Sequence, residues 1–592
     1  MAAHVALVVV VPALLVGAAE LLLRLFGYGY PTSFFVKTDD GQTLTTNRRF
    51  GWRFMAHETA TQPWPVNVQA QKPSGTFRIF VLGESAAQGT PAPAFGFARI
   101  LEAMLQQQFP GKQFEIVNAA MRGINSHAIR PIAAECAALL PDVFLIYMGN
   151  NETVGLYAPE PGKFTLASHR WLIRANQWAK SLKLGLLVED SFNALAKSSG
   201  KRPHQDMDFF RKKRLSADAL ERAAVYDNFH ANLDDICRAT RASGAKVIVS
   251  TVAVNLKDFP PLASLHRAGL SAAELGDWEA AFAQGANAEA RGQFAEAITN
   301  YAGAARVDDH FAELHFRLAR CCLAENRPDA ARKHFALARD WDALQFRTDG
   351  RLNAITRDLV AARQDAGLVL LDAERAFADH PDSERGIPGN RFFHEHVHFN
   401  FDGDYLLAQT FLPMVAKALG LPAADRPVPS RQECAAALAF TKWDEISVAA
   451  AAVRMTGNPP FLDQVEHEAR QRQAEESMDK LSRTFQQQEG FKGVLEAYRT
   501  AAAQRPHDWQ IHFNFGNLLK ELGLHADAVL EYAAALRVMP AHLPLRVALA
   551  QSLVASGRRE EAIVHLREAL RLDPMLPAAK ESLTRLTGLR QS

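Results

Sequence analysis

Serine, histidine and glutamate, the side-chain types of nucleophilic acyl transfer, occur in short polar segments of this chain. Ser85 follows Gly-Glu at the end of the apolar, β-favouring run 77–82. A serine hydroxyl becomes a nucleophile when a nearby base takes its proton, and His398 is a candidate base. Glu395, three residues before His398, could orient the imidazole and stabilise its charge. These residues predict a serine nucleophile, and the plain alternative is that Ser85 only caps a helix.

The polar segments are predicted to follow the strands of one parallel sheet. Short apolar runs predict five strands, at 77–82, 113–118, 142–148, 246–251 and 368–372. Helical patterns such as 219–243 alternate with these runs, which indicates an α/β fold with a doubly wound parallel sheet. Such sheets bind ligands beyond the carboxyl ends of their strands. We therefore expect the segments that follow the first, second, third and fifth strands to meet at that edge.

In chain order these four segments resemble the sequence blocks of the SGNH/GDSL-type serine hydrolase (esterase) family. The blocks read Gly83-Glu84-Ser85, Gly123, Gly149-Asn150-Asn151-Glu152 and Glu395-x-x-His398. The resemblance covers roughly residues 76–255 and 366–420. It implies a flavodoxin-like sheet, an ester hydrolase without a cofactor, and Ser85, His398 and Glu395 as the catalytic residues. It also implies an oxyanion hole formed by the backbone amides of Ser85 and Gly123 and the side-chain amide of Asn151.

Three glutamates stand where the family commonly has aspartate. Glu84 and Glu152 are expected to have supporting roles. Glu395 matters more, because its additional methylene group changes how the carboxylate reaches His398. If Glu395 cannot reach the imidazole, a Ser85–His398 dyad would remain, with weaker activity.

The segment His394-Glu395-His396-Val397-His398 also matches H-E-x-x-H, the motif of zinc proteases. That motif requires a helix, on which residues four apart face one metal ion. Pro388-Gly389 precedes the segment closely, and Asn400 and Gly403 follow it, which leaves little room for a long helix. We therefore predict no metal at this site.

The composition is that of a globular protein without signs of nucleic-acid binding. The 592 residues are 48% hydrophobic and 22% charged, with a formal net charge of +1. No basic stripe with interleaved aromatic residues is present in the sequence, so nucleic acid is not an expected partner. The five cysteines are odd in number and show no metal-ligand spacing. Cys321-Cys322 lies inside a helical pattern, where packing is the expected role.

Two parts of the chain repeat with a period of 34 residues. Between the fourth and fifth strands, the repeated residues are Ala297, Tyr301 and Ala304, which recur as Ala331, Phe335 and Ala338. Near the C-terminus the period links positions 498, 532 and 566, positions 501, 535 and 569, positions 506, 540 and 574, and positions 523 and 557. This period is the tetratricopeptide (TPR) pattern, which predicts a helical insert at about 268–345 and a C-terminal α-solenoid over 486–592. Stacked repeats of this kind offer a concave surface to a protein partner.

The N-terminal segment contains an uninterrupted apolar run over 5–19, which resumes after Glu20. The whole span is about 22 residues, roughly the length needed to cross a bilayer. We therefore expect 1–27 to be a membrane anchor and the body to be extracytoplasmic, which means periplasmic in a Gram-negative bacterium. The alternatives are a cleaved signal peptide with Val16-Gly17-Ala18 as its small-residue site, and a buried amphipathic helix.

The remaining predicted parts are a connector at 28–75, the hydrolase domain at 76–420, a hinge with linker helices at 421–485, and the repeats.

The predicted function is that of a membrane-anchored serine ester hydrolase. Its expected substrates are O-acyl esters, such as acetyl esters, of envelope or exported carbohydrate, polysaccharide included. Two alternatives remain open at this stage. The same site could pass the acyl group to a sugar, which would make the protein an O-acyltransferase. The repeats could also be the functional part, which would make it a non-catalytic TPR scaffold.

Overall fold

The computed structural model describes residues 2–159, 169–196, 207–363, 365–488 and 490–588. The chain divides into two compact units. The larger unit consists of Met1–Lys37, Leu44–Pro427 and Ala451–Glu475, and the smaller one of Thr38–Thr43, Val428–Ala450 and Glu476–Ser592. All of the predicted site residues lie in the larger unit.

The N-terminal segment forms helix α1, Ala2–Leu25. Glu20 ends its uninterrupted apolar run after fifteen residues, fewer than the roughly 20 that a bilayer requires. Glu20 pairs with Arg24 at 2.7 Å and accepts hydrogen bonds from the backbone amides of Lys183 and Leu184 at 3.0 and 2.9 Å. Among the described residues, no helix has both the length and the apolar character that crossing a membrane demands. The membrane anchor predicted for 1–27 is therefore wrong, and the extracytoplasmic location that was inferred from it loses its support.

The predicted connector contains a small sheet. Its strands are β1 Phe35–Lys37, β2 Thr43–Thr46 and β3 Asn67–Gln69. They lie in the order β1-β2-β3, and β1 pairs with β2 in antiparallel register.

A five-stranded parallel sheet forms the centre of the larger unit. Its strands are β4 Thr76–Gly83, β5 Gln113–Asn118, β6 Val143–Tyr147, β7 Lys246–Ser250 and β8 Leu368–Leu371. They lie in the order β5-β4-β6-β7-β8, and every neighbouring pair is parallel. This order, 2-1-3-4-5 along the chain, is that of flavodoxin-like doubly wound sheets. The prediction of a parallel α/β sheet is confirmed, and each strand lies within one residue of its predicted bounds.

Helices pack on both faces of this sheet. The chain between β4 and β7 contains the helices α2 Ser85–Gln88, α3 Phe97–Gln108, α4 Ser126–Ala137, α5 Arg170–Ala179, α6 Lys183–Ala196, α7 Met207–Arg211 and α8 Leu220–Ala242. Phe80 and Phe144 point into a core that α4 and α8 complete. Tyr147 points to the opposite face because side chains alternate along a strand, and its ring centroid lies 6.4 Å from that of Phe97 in α3.

The helical insert follows β7, as the 34-residue period predicts. Its helices are α9 Ala272–Ala290, α10 Phe294–Val307, α11 Ala312–Ala324 and α12 Pro328–Asp340. Gly285 in α9 faces the ring of Tyr301 in α10, and a Cβ at that position would lie 2.5 Å from Tyr301 Cδ1. This contact explains why the repeat places a small residue against an aromatic one. All five cysteines, including Cys321 and Cys322 of α11, are buried and free, in agreement with a packing role.

The chain then returns to the sheet, to which it adds the last strand, β8. The helices around β8 are α13 Gly350–Arg363, α14 Ala373–Asp379 and α15 Phe401–Ala418. In α15, Phe411 stacks on Phe97 of α3 with ring centroids 5.5 Å apart.

The C-terminal part of the chain is helical throughout its described elements. The predicted linker region contains α16 Arg431–Ala437, α17 Lys442–Thr456 and α18 His467–Gln488. The repeat region contains α19 Gly490–Gln504, α20 Trp509–Glu521, α21 His525–Val538, α22 Leu543–Ala555, α23 Arg559–Leu572 and α24 Pro577–Thr587. Gly516 in α20 faces Tyr532 in α21, where a Cβ would lie 2.6 Å from Tyr532 Cε1. The same glycine–tyrosine contact therefore recurs in the insert and in the C-terminal repeats.

Candidate active site

Ser85 lies just after strand β4, at the start of a short helix. β4 ends at Gly83, and Ser85 is the first residue of the one-turn helix α2. A Cβ at residue 83 would lie 2.2 Å from the carbonyl oxygen of Tyr147, so glycine is required for β4 and β6 to approach this closely. The half-buried Ser85 is thereby placed beyond the carboxyl ends of two adjacent strands, at the edge where α/β sheets bind ligands.

His398 lies in the loop between α14 and α15, which a short antiparallel bridge closes. Phe393 pairs with Phe399 across this bridge, and the amide of His394 donates to the carbonyl oxygen of His398 at 2.9 Å. The loop brings His398 Nε2 to 2.7 Å from Ser85 Oγ. The predicted nucleophile and base are therefore within hydrogen-bond distance of each other.

Glu395 reaches His398 despite its longer side chain. Its Oε1 contacts His398 Nδ1 and accepts a hydrogen bond from the His398 backbone amide at 3.0 Å. Its Oε2 accepts from the backbone amide of His396 at 2.6 Å and also contacts His396 Nδ1. The carboxylate is therefore buried inside its own loop, whose tight turn accommodates the additional methylene group.

Burial determines the protonation of the two histidines beside Glu395. It lowers the pKa of His398 to about 4, so that this imidazole is neutral at pH 7. In the neutral ring Nδ1–H donates to Glu395 and Nε2 accepts from the Ser85 hydroxyl, a tautomer assigned from the hydrogen-bond partners. Burial, followed by the charges of His398 and Arg347, lowers the pKa of His396 well below its ordinary value. The imidazole of His398 is thus neutral, with Nε2 directed toward the Ser85 hydroxyl.

Glu84 connects the nucleophile to the loop that follows β6. Its Oε2 accepts a hydrogen bond from the backbone amide of Asn150 at 2.7 Å, and its Oε1 accepts one from the amide of Asn151 at 3.4 Å. Burial, followed by the charge of Glu152, raises the pKa of Glu84 well above its ordinary value, although the loop amides act in the opposite direction. Glu84 therefore supports the site by holding this loop beside Ser85.

The segments that contain Gly123 and Asn151 are also hydrogen-bonded to each other. Asn151 Nδ2 donates to the carbonyl oxygen of Ile124 at 2.9 Å, one residue after Gly123. Gly123 has a φ of +74°, in the left-handed region that favours glycine. The Thr61 hydroxyl donates to the carbonyl oxygen of Arg122 at 2.7 Å and holds this turn from the connector side. The folded chain thus brings both segments to the same edge of the sheet as Ser85.

Glu152 lies in a buried polar network behind this edge. It accepts hydrogen bonds from the amide and the hydroxyl of Ser126 at 2.8 and 2.7 Å. Asn232 Nδ2 donates to Ser126 Oγ at 3.0 Å and lies 3.0 Å from His127 Nδ1. Burial raises the pKa of Glu152. Since Ser126 begins α4, Glu152 joins that helix to the loop after β6.

The zinc-protease interpretation does not match the local geometry. Residues 394–398 form bends and extended backbone, so His394 and His398 do not share one face of a helix. Within the described residues, one group of possible metal ligands has its ligand atoms within 4.8 Å of one another, and it consists of Glu395, His396 and His398. Because it includes the candidate acid and base, this group belongs to the site already described.

Several residues that touch the site were not singled out from the sequence. Thr61 lies in the connector, His396 lies beside the candidate acid, and Asn255 and Thr348 lie on either side of the helical insert. Of these residues, only His396 could have been found from the sequence, because it directly follows Glu395. The others reach the site through folding and carry no motif of their own.

Comparisons with known proteins identify the repeats. Family models of the tetratricopeptide repeat match residues 288–347, 480–541 and 543–574. The TPR prediction is therefore confirmed in both the insert and the C-terminal region. No curated protein matches the chain.

Three solved structures show a remote likeness to this chain. An acetyl xylan esterase, AlAXEase, is 12% identical, with a TM-score of 0.27 and a match that covers 57% of this chain and 100% of that one. MamA protein is 10% identical, with a TM-score of 0.14 and coverage of 53% and 98%. A thermophilic TPR protein of Thermus thermophilus is 14% identical, with a TM-score of 0.16 and coverage of 53% and 100%. These TM-scores are too low for any of the three to bear on the activity of this chain.

Proposed function

We propose that the larger unit is a serine ester hydrolase of the SGNH type, which works through an acyl-enzyme intermediate. The observation that carries the proposal is the continuous contact from Ser85 Oγ through the imidazole of His398 to the carboxylate of Glu395. Ser85 is 313 positions from His398 in the sequence, and its hydroxyl still contacts the imidazole that Glu395 orients, which is the arrangement that acyl transfer requires.

In the first half-reaction, Ser85 Oγ attacks the carbonyl carbon of the ester while His398 Nε2 takes the hydroxyl proton. Glu395 stabilises the imidazolium that forms. When the tetrahedral intermediate collapses, the bond to the alkoxy oxygen breaks, and His398 returns its proton to that oxygen. The products are a free alcohol and an acyl ester of Ser85.

The negative charge on the carbonyl oxygen requires donors that are already in place. We assign this role to the amides of Ser85 and Gly123 and to the side-chain amide of Asn151. Ser85 is the first residue of α2, where a backbone amide has no acceptor within its own helix. Each such donor is worth about 2.7 to 4 kcal/mol in the transition state.

In the second half-reaction, water attacks the acyl carbon while His398 Nε2 takes one of its protons. The bond to Ser85 Oγ then breaks, the proton returns to Oγ, and a carboxylic acid leaves. Transfer to a sugar hydroxyl would follow the same steps with the sugar in the place of water.

The repeats contribute a second function. The TPR family matches in the insert and in the C-terminal region support the binding of a protein partner. We propose that this binding accompanies ester hydrolysis in the same chain.

Hydrolysis of 4-nitrophenyl acetate by the full chain tests the proposal. Wild-type protein should hydrolyse the ester with and without a chelator. The rate with Ser85→Ala should fall to the rate measured with free imidazole as a control. Ser191→Ala is the matched control, because Ser191 is an exposed serine of α6 whose hydroxyl bonds only its own helix. A fluorophosphonate should label the wild type at Ser85, as mapped by mass spectrometry. Equal hydrolysis by wild type and Ser85→Ala, or no label at Ser85, would refute the hydrolase.

A further inference from the structure

The helical insert is joined to the sheet by two buried segments, 251–259 at its entry and 341–349 at its exit. We propose that these junctions position the candidate site, the entry holding the loop of the acid and base and the exit holding the loop of Asn151. This inference rests on the proposed hydrolase function, and it concerns residues that the four sequence blocks do not include.

At the exit junction, Thr348 holds the loop after β6. Its backbone amide and its hydroxyl both donate to Asn150 Oδ1, at 3.1 and 2.9 Å. The backbone amide of Asn150 donates to Glu84 Oε2 at 2.7 Å. The loop that carries Asn151 is therefore fixed from two sides, by the nucleophile segment and by the insert.

At the entry junction, Asn255 holds the loop of the candidate acid. Its Nδ2 donates to the carbonyl oxygen of Glu395 at 2.9 Å and to Asn390 Oδ1 at 2.8 Å. Its backbone amide donates to the carbonyl oxygen of His396 at 2.9 Å. These bonds hold two successive backbone carbonyls, those of Glu395 and His396, in the loop that also contains His398.

Arg347 ties the two junctions together. Its Nη1 donates to the carbonyl oxygens of Asn255 and Phe259, at 2.9 and 3.0 Å, and its Nη2 lies 3.5 Å from Asp342. Asp342 accepts hydrogen bonds from the amides of Leu262 and Ala263 at 2.9 and 3.1 Å. Arg347 and Asp342 are each 2% exposed, so water does not compete for these bonds. The entry and exit junctions are therefore hydrogen-bonded to each other. The loop of Glu395 and His398 is bonded to the entry junction, and the loop of Asn151 is bonded to the exit junction.

The expected consequence is an effect on the chemical step. Oxyanion donors act only when they are held within about 0.5 Å of their productive positions. Loosening Asn150 should displace Asn151 and weaken binding of the transition state, while the ground-state pocket is left intact. Such a change lowers kcat and leaves KM nearly unchanged.

Thr348→Val removes the hydroxyl bond to Asn150 and keeps the shape of the side chain. We expect kcat for 4-nitrophenyl acetate to fall about tenfold with little change in KM, and Thr348→Ser to restore it. Thr356→Val is the matched control, since Thr356 is a buried threonine in α13 whose hydroxyl donates to Leu352 of its own helix at 3.1 Å. Melting temperatures of the variants separate loss of folding from loss of positioning.

A double-mutant cycle with Asn150→Ala shows whether the two side chains act through their shared contact. The losses in kcat should be clearly less than multiplicative when both changes are combined. The inference would be overturned if Thr348→Val matched Thr356→Val, or if the two losses were fully multiplicative, while Ser85→Ala still abolished turnover. Full turnover in Ser85→Ala would instead refute the hydrolase itself.

Discussion

Ser85 Oγ and His398 Nε2 lie 2.7 Å apart, although 313 positions separate the two residues in the chain. The first begins helix α2, directly after β4, and the second lies in a loop that follows β8. The contact forms only when the sheet is complete, including the strand that comes after the helical insert. Any activity at this site therefore depends on the parts of the chain before and after the helical insert.

Replacing Glu395 by glutamine should nearly abolish hydrolysis. Glutamine cannot stabilise the imidazolium and presents an amide to His398, which disfavours the required tautomer. When the acid of a serine–histidine–acid triad is replaced by its amide, kcat falls on the order of 10⁴-fold. The measurement is kcat for 4-nitrophenyl acetate. Glu384→Gln is the control, since Glu384 is a surface residue that pairs with Lys257 at 2.7 Å. Activity within a few-fold of wild type in Glu395→Gln would indicate that a Ser85–His398 dyad suffices.

The acidic limb of the pH–rate profile should lie below the ordinary histidine range. Only neutral His398 can accept the proton of Ser85, and burial lowers its pKa from 6.5 to about 4. Activity should therefore persist as the pH falls through 6.5 and should decline only near the lowered value. The check is kcat/KM as a function of pH, with initial rates taken before the protein unfolds. A half-maximal rate near pH 6.5 would show that the site does not depress the pKa of this imidazole.

Glu84 should make the stability of the larger unit decrease as pH rises. The pKa of this buried carboxyl is raised in the folded protein, so its favourable contribution is complete below the unfolded value of 4.5. That contribution is lost as the pH rises toward the folded value, because the folded state resists ionisation. Glu84→Gln removes the dependence. Its melting temperature relative to wild type should therefore increase from acid to neutral pH, whereas that of the exposed control Glu384→Gln should not. A constant difference for Glu84→Gln across that range would contradict the prediction.

Replacing either of two glycines in α9 by alanine should change the stability of the insert in opposite directions. Gly285 faces Tyr301, where a Cβ would lie 2.5 Å from the ring, whereas a Cβ at Gly276 would meet nothing within 4 Å. Gly285→Ala should destabilise the insert by about 1 to 3 kcal/mol through overpacking. Gly276→Ala should stabilise it by about 0.5 to 1 kcal/mol, since alanine loses less backbone entropy in a helix. Amide hydrogen exchange in α9 and α10 is the measurement. Equal protection in the two variants would show that the contact with Tyr301 is not close.

The N-terminal helix shows where local patterns mislead. Its apolar run predicted a membrane anchor, yet Glu20 binds the amides of Lys183 and Leu184 in another helix. A hydropathy pattern counts Glu20 as one unfavourable residue within a long apolar span. It contains no information about a carboxylate that hydrogen-bonds the start of a distant helix.

The amino-acid sequence alone was enough to predict the sheet strands, the repeats, and the serine, histidine and glutamate that the fold brings together. Strands such as 77–82 and repeats such as those at Tyr301 are specified by neighbouring side chains, whose apolar character and spacing can be read along the chain. The contact of Glu395 with His398 could be seen only in the folded chain, since it depends on the turn of their loop. The same holds for the contacts of Thr348 with Asn150 and of Asn255 with Glu395, which join residues 198 and 140 positions apart. Hydrogen bonds are short and directional, so these pairings exist only once the insert has folded back onto the sheet.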